Sequence, residues 1–355
     1  MADQSQIEWT DATWNPIRGC SRVSRGCEHC YAERMAARFS GPGQPYEGLA
    51  IMKQTGPATC ESGIYEAPHA PRWTGEVRFI EERLDDPLHW KKPRRIFVNS
   101  MSDLFHEKVQ DEWIDRIFAV MALCPQHTFQ VLTKRPERMR EWFDNTGRHG
   151  VAVTAKYAEF EKFGRGPSLA ETMWPLPNVW LGVSVEDQKT ADERIPLLMQ
   201  TPAAVRWVSY EPALGPVDFN NYLPPDLNAF TDWKGLDWIV AGGESGPGAR
   251  PTHPDWFRSV RDQCVAAGVP FFFKQWGAWS PGWQASQIKS GSLIHTPCQL
   301  LDHEGCTVGA FRVGKRAAGR LLDGREWNEF PGRENLLEGS QPGKISGECS
   351  LPGIT

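Results

Sequence analysis

Six short apolar runs recur along the chain, each closing on Gly, Ser or charged residues. They are RIFVNSMSD (Arg95 to Asp103), TFQVLTKRP (Thr128 to Pro136), VWLGVSVED (Val179 to Asp187), VRWVSYEP (Val205 to Pro212), DWIVAGGES (Asp237 to Ser245) and PFFFKQWG (Pro270 to Gly277). Each is too short for a helix and is apolar at odd and even positions alike. That pattern belongs to strands covered on both faces, and so to a parallel sheet. Helical periodicities lie between several of them. Asp111 to Leu123 puts Trp113, Ile117, Val120 and Met121 on one stripe. His253 to Gly268 carries Pro254 near its start, Trp256, Val260 and Cys264 on one face, and Gly268 as a stop. Strands and helices in alternation predict an α/β fold, a complete or partial parallel (β/α) barrel with right-handed crossovers.

Three stretches break the rhythm and read as insertions, near 40–75, 145–176 and 220–236. After Gly277 the pattern fades. Residues 1–277 are therefore assigned to the barrel and 278–355 to a C-terminal extension packed on it. Within the extension, Ala317, Ala318, Leu321 and Leu322 predict a short helix ended at Asp323-Gly324.

The polar residues fall where such folds bind ligands, at the carboxyl ends of the strands. Those ends carry Ser102 and Asp103, Lys134 and Arg135, Ser184 and Glu186, Tyr210 and Glu211, Gly242 to Glu244, and Lys274 and Gln275. One polar strand end means little, because strand ends are exposed. Six with the same habit predict the wall of one site.

Composition narrows the class. Forty per cent of the 355 residues are hydrophobic, as in ordinary globular chains, while 16 Trp and 28 Pro point to rigid loops and aromatic-lined surfaces. No apolar run is long enough to span a bilayer, so no membrane partner is expected. The acidic, polar N-terminus is neither a signal nor a transit peptide, which makes the cytoplasm the expected location. A net charge of −5 excludes broad, non-specific attraction to DNA and leaves room only for a local basic groove. Nine Cys, an odd number without an export signal, read as metal ligands or redox groups more readily than as a disulfide framework.

The densest chemical signal is GCSRVSRGCEHCYAERMAARF (Gly19 to Phe39), with six residues between Cys20 and Cys27 and two between Cys27 and Cys30. Thiolates are soft ligands and favour zinc or iron–sulfur over magnesium or calcium. A helix beginning near Cys30 would aim its N-terminal amides at the bound group. Three readings are open: structural zinc, completed by His29 or a distant His; inert buried thiols; or a cubane cluster on three cysteines with one iron open. Cys124 and Cys264 fall on apolar helix faces. Cys60, Cys298, Cys306 and Cys349 match no familiar spacing.

The three-cysteine loop after a first strand, the residue before the last cysteine (here His29) and the strand–helix barrel behind it together resemble the radical S-adenosylmethionine (SAM) superfamily. The first cysteine interval is longer than the superfamily's commonest one. More narrowly, IEWTDATWNPIRGC, CEHCYAER, FVNSMSDLFHE, VLTKRPERM, SYEPALGPV, AGGESGPGARP, FFFKQWG and AAGRLLDGREW resemble a phage-associated family of unknown function, from Ile7 to about Pro331. The resemblance implies a [4Fe-4S] cluster on Cys20, Cys27 and Cys30, with SAM on the open iron. An electron from an external flavodoxin- or ferredoxin-type donor would release a 5′-deoxyadenosyl radical that takes hydrogen from a substrate. It implies Ser102 and Asp103 for the SAM amino group, Lys134 or Arg135 for its carboxylate, Ser184 and Glu186 for the ribose, His29 beside the cofactor, and Glu211, Glu244 and Lys274 facing the substrate. Phage association, with Lys134, Arg135, Arg138 and Arg140 at the expected mouth, points to a nucleotide or nucleic-acid base as substrate. The alternative is a zinc-stabilised nucleic-acid-binding or regulatory module without redox chemistry.

Overall fold

The computed structural model describes residues 5–56, 59–60, 65–66, 69–144, 174–224, 235–285 and 299–332. Its centre is one seven-stranded parallel sheet: β1 (Ala12–Trp14), β2 (Arg95–Val98), β3 (Thr128–Thr133), β4 (Val179–Val185), β5 (Val205–Tyr210), β6 (Trp238–Gly242) and β7 (Phe271–Gln275). The strands lie side by side in chain order, every pair parallel. The sheet does not close on itself, so the architecture is the partial barrel among the two forms expected. All six apolar runs are strands. The seventh, β1, is only three residues long and immediately precedes the cysteine loop.

Among the described residues, the helices longer than a single turn are α1 (Tyr31–Arg38), α2 (Asp111–Leu123), α3 (Pro136–Asp144), α4 (Gln188–Gln200) and α5 (Pro254–Ala267). α5 ends as its sequence predicts, on Gly268 at φ 66°, a left-handed conformation that favours glycine. α2 is more buried than its stripe implies: every residue from Ile117 to Leu123 is buried, with Leu84 and Leu88 in the same cluster. Among the described residues, no helix is long and apolar enough to cross a membrane.

The two faces of the sheet are built differently. Ile96, Val98, Phe129, Val131, Leu181, Val183, Val208, Ile239 and Phe273 join the helices in one large core. The opposite face holds a separate aromatic cluster of Phe97, Trp180, Trp207, Trp238 and Phe272, into which the N-terminal segment inserts Trp9. Trp9 sits 4.7 Å from the Phe97 ring and 5.2 Å from that of Trp207. Steps of two up each strand stay on this face. They run Trp180, Gly182, Ser184; Trp207, Ser209, Glu211; and Trp238, Val240, Gly242. The half-barrel therefore has an aromatic floor, a layer of small side chains and a polar rim. Gly182 has no room for a side chain, since a Cβ there would stand 2.5 Å from the Trp207 indole.

The extension covers the β7 edge. Phe273 N donates to Trp327 O (3.0 Å) and Glu329 N to Phe271 O (3.3 Å), while the Phe330 ring packs 5.2 Å from Trp238. The remainder is an antiparallel sheet of β8 (Trp279–Pro281), β9 (Gln299–His303) and β10 (Cys306–Arg312). The expected helix through Leu322 is a single turn, Lys315–Ala318. It stops at Gly319, and Asp323-Gly324 instead forms a tight turn, both residues left-handed, that bridges Leu322 to Arg325. In the first insertion, Ala50–Gln54 and His69–Trp73 pair as an antiparallel hairpin. Most of the second (145–173) and much of the third (225–234) lie outside the described residues, as do Cys298 and Cys349.

The floor makes a specific energetic demand. Trp207→Ala should destabilise the protein by about 3–5 kcal/mol in urea unfolding, and Gly182→Ala by about 1–3 kcal/mol through overpacking. The double variant should cost less than the sum, because truncating the indole vacates the space the new methyl needs. Strict additivity would disprove the contact.

Candidate functional site

The cysteine loop lies across the carboxyl edge of the sheet. From β1 the chain passes Ile17–Arg18 and bridges from Gly19 to Ser102 beyond β2. It then makes one 3-10 turn, Arg25–Cys27, and enters α1 with Cys30 at the N-cap. All three thiols are half-buried. Cys27 and Cys30 both raise the cost of ionising Cys20, and Cys27 raises that of Cys30. Burial, seconded by the Asp103 carboxylate, pushes the Cys20 thiol up to about 12 against the pull of Arg135. Burial also raises Cys30, although the amides of Glu33 and Ala32 in the first turn of α1 act in the other direction. Cys20 and Cys30 therefore stay protonated at neutral pH unless a cationic partner displaces their protons.

Glu186, just past β4, fixes the loop to the sheet. Its side chain is fully buried, 2.9 Å from Lys134 Nζ and 3.1 Å from Arg194 Nη1, and it accepts the Ser24 hydroxyl at 2.8 Å. The loop can come this close only because residue 26 is glycine; a Cβ there would stand 2.3 Å from the Glu186 carboxylate. Burial acts to raise the Glu186 carboxyl, but Lys134 and Arg194 outweigh it and hold it below the ordinary range. The backbone is held as well. Asp187 and Thr190 form a capping box on α4, and the Thr190 hydroxyl accepts the Glu186 amide at 2.9 Å.

Asp103 is almost as enclosed. Its oxygens accept from Thr133 Oγ1 (2.7 Å), Phe105 N (3.0 Å), Lys134 N (3.1 Å) and Arg135 Nη1 (3.0 Å). Arg135 in turn reaches Glu107 (2.9 Å) and the Ser21 hydroxyl (2.7 Å), and its Nη1 lies 4.0 Å from Cys20 Sγ. Ser102 donates to Ile17 O at 2.9 Å, and Ser184 is buried beside the same rim. On the far side, Lys274 Nζ contacts both Glu211 oxygens, at 3.0 and 3.3 Å, as a half-buried pair. Glu244 is buried against Arg250, which also reaches Glu28 of the loop at 2.7 Å. His29 rests over Gly248, a left-handed residue at φ 76° whose missing side chain makes room for the imidazole. Tyr31, 45% exposed, donates to Ser100 O at 2.7 Å.

All the site residues expected from the sequence thus gather on one edge, but their charges are already matched. The expected row of four cations across the mouth does not form. Arg138 is on α3 and pairs with Asp111, while Arg140 reaches Gln200 at the end of α4. Both residues belong to the helix layer because α3 begins at Pro136. The sequence reading missed Arg194 and Arg250, the partners of Glu186 and Glu244. Arg194 did leave a signal, as a charge on the stripe that Ala191 and Leu198 make apolar.

A family model described as protein of unknown function (DUF5131) matches residues 4–331. No curated protein and no solved structure matches the chain.

Replacing the buried carboxylate tests the loop anchor. Glu186→Gln should cost about 3–5 kcal/mol at neutral pH, since it strands Lys134 and Arg194 without a counter-charge. Because the folded carboxyl lies below its unfolded value of 4.5, its contribution is complete above that pH and is lost as pH falls through the folded value. The gap between wild type and variant in urea midpoint should therefore close in acid. A gap that is constant with pH would show that Glu186 is not ionised in the folded state.

Proposed function

This chain belongs to the DUF5131 family, and we propose that it is an iron–sulfur enzyme in which Cys20, Cys27 and Cys30 hold a [4Fe-4S] cluster that binds and cleaves SAM. The observation that carries this reading is a loop of three thiols laid across the carboxyl edge of a parallel half-barrel. Of the other described cysteines, Cys124 and Cys264 are fully buried in the helix layer. Three thiolates suit a cubane that keeps one iron open, whereas structural zinc is closed by four ligands.

The bound cluster and SAM would supply the hard chemistry, reductive release of methionine and a 5′-deoxyadenosyl radical with an electron from a flavodoxin- or ferredoxin-type donor. The chain's own residues bind, orient and shield. Arg135, aimed by Asp103 and Glu107, sets a fixed cation beside Cys20. Asp103 then acts as a positioning residue, with its oxygens spent on that task. Lys134, Ser184 and Glu186 form the rim beside the cofactor, and the aromatic floor keeps water from below. The Lys274–Glu211 pair, the more accessible one, faces the substrate. With the rim cations paired to carboxylates, the site suits the neutral base of a nucleotide or nucleic acid better than its phosphates. The exposed Tyr31 ring offers a stacking surface for such a base.

Anaerobically purified protein should be brown, contain about four irons per chain and convert SAM to 5′-deoxyadenosine when dithionite is added. Cys27→Ala should lose both properties and Cys124→Ala should keep both. A colourless protein holding zinc would overturn the proposal in favour of a structural module. Within the enzyme reading, Lys274→Met should leave iron content unchanged and lower substrate-dependent 5′-deoxyadenosine formation about 10- to 100-fold, the worth of one charged hydrogen bond. Unaltered turnover would remove the Lys274–Glu211 pair from the substrate site.

A further inference from the structure

Away from the cysteine loop, a second set of ligand-type side chains converges where the C-terminal sheet meets α5. His253 caps α5, and its ring is completely buried. Its Nε2 faces the Cys306 carbonyl at 3.2 Å. In metal-bound histidines the outward N–H commonly donates to a backbone carbonyl in this way, which fixes the tautomer and leaves the other nitrogen's lone pair for the ion. Here that nitrogen is Nδ1, which accepts the Asp255 amide at 3.2 Å as the cap of α5 and lies 3.7 Å from Asp255 Oδ2, so a bound ion would take the place of this cap bond. Oδ1 of the same carboxylate is held by Arg258 at 2.7 Å, which leaves Oδ2 turned toward the ring. Cys306 supplies a free, exposed thiol. The three ligand atoms all lie within 4.8 Å of one another, and tetrahedral zinc requires about 3.3–3.8 Å, a movement of an ångström or so. His303 pairs with Cys306 across the left-handed Glu304-Gly305 turn, and its ring is 5.4 Å from that of His253.

We propose that His253, Asp255, Cys306 and His303 form a structural site for a divalent transition metal, zinc by its donor set, which ties the β9–β10 hairpin to the start of α5. Two neutral imidazoles, one carboxylate and one thiolate balance the charge of the ion, and the Cys306 proton leaves to solvent as the sulfur–metal bond forms. The donors come from two segments about fifty residues apart, so the ion would cross-link the hairpin to α5, where the Trp256 and His303 rings already meet at 6.1 Å. The site is independent of whatever the loop cysteines hold.

The test uses the full chain, zinc alone as the probe and peptide mass spectrometry to follow alkylation of each cysteine. Zinc should slow alkylation of Cys306 at least tenfold in the wild type, and His253→Gln or His303→Ala should remove most of that protection. His303 is half-exposed, so its variant keeps the experiment readable if His253→Gln does not fold. In a chain carrying Ala at 20, 27 and 30, cobalt should still give a thiolate charge-transfer band, which Cys306→Ser abolishes. Alkylation of Cys306 at the same rate with and without zinc, or protection that survives both histidine variants, would overturn the proposal.

Discussion

A carboxylate with no water around it has to find its counter-charges within the protein, and Glu186 is that carboxylate. Moving an ion out of water costs several kcal/mol, recovered only when partners of opposite charge and hydrogen-bond donors surround it. Lys134 from the end of β3, Arg194 from the buried side of α4 and Ser24 from the cysteine loop meet this requirement together. None of these elements can shift without exposing a deficit in the others. The loop that carries the thiols is therefore positioned by electrostatics at its centre, with α1 docked behind it and Arg250 bound to Glu28 at its side.

The half-barrel provides the stage for this arrangement by changing character every two residues. Trp180, Trp207 and Trp238 seal the lower part; two positions further on stand Gly182, Ser209 and Val240, and four further on Ser184, Glu211 and Gly242. Large rings below leave no room for water, and the Trp207 indole fills the space that Gly182 leaves. The strands thus carry both the hydrophobic anchor and the polar rim in short segments, which lets a short sheet support an elaborate edge.

The strands and the cysteine loop were legible because their signals are local. Apolar runs, a Gly stop at 268 and close cysteine spacing all act over a few residues. β1 is expected only through the resemblance, as a first strand ahead of the cysteine loop, since three residues give no periodicity to read. Leu321 and Leu322 read as helix although Gly319 stands in front of them; in the turn Leu322 is fully buried while Leu321 is exposed, so the pair shares no helical stripe. Ion-pair partners were the least legible. Nothing near Glu186 in sequence announces Lys134, and Arg138 resembles Arg135 in every local respect although the start of α3 turns it to a different layer. Pairing is decided by topology, and only Arg194, a charge on an apolar stripe, betrayed its role in advance.

The matching of cations and anions around the rim has a kinetic meaning. Paired charges cancel beyond a few ångströms, so the site projects little field into solvent and does not draw partners in from a distance. Encounters then proceed at the unsteered rate, about 10⁵–10⁶ M⁻¹ s⁻¹, with little sensitivity to ionic strength. At contact range the same pairs remain fixed dipoles that need no rearrangement to meet a partner. Such an entrance is indifferent to what approaches it and exacting about what it retains.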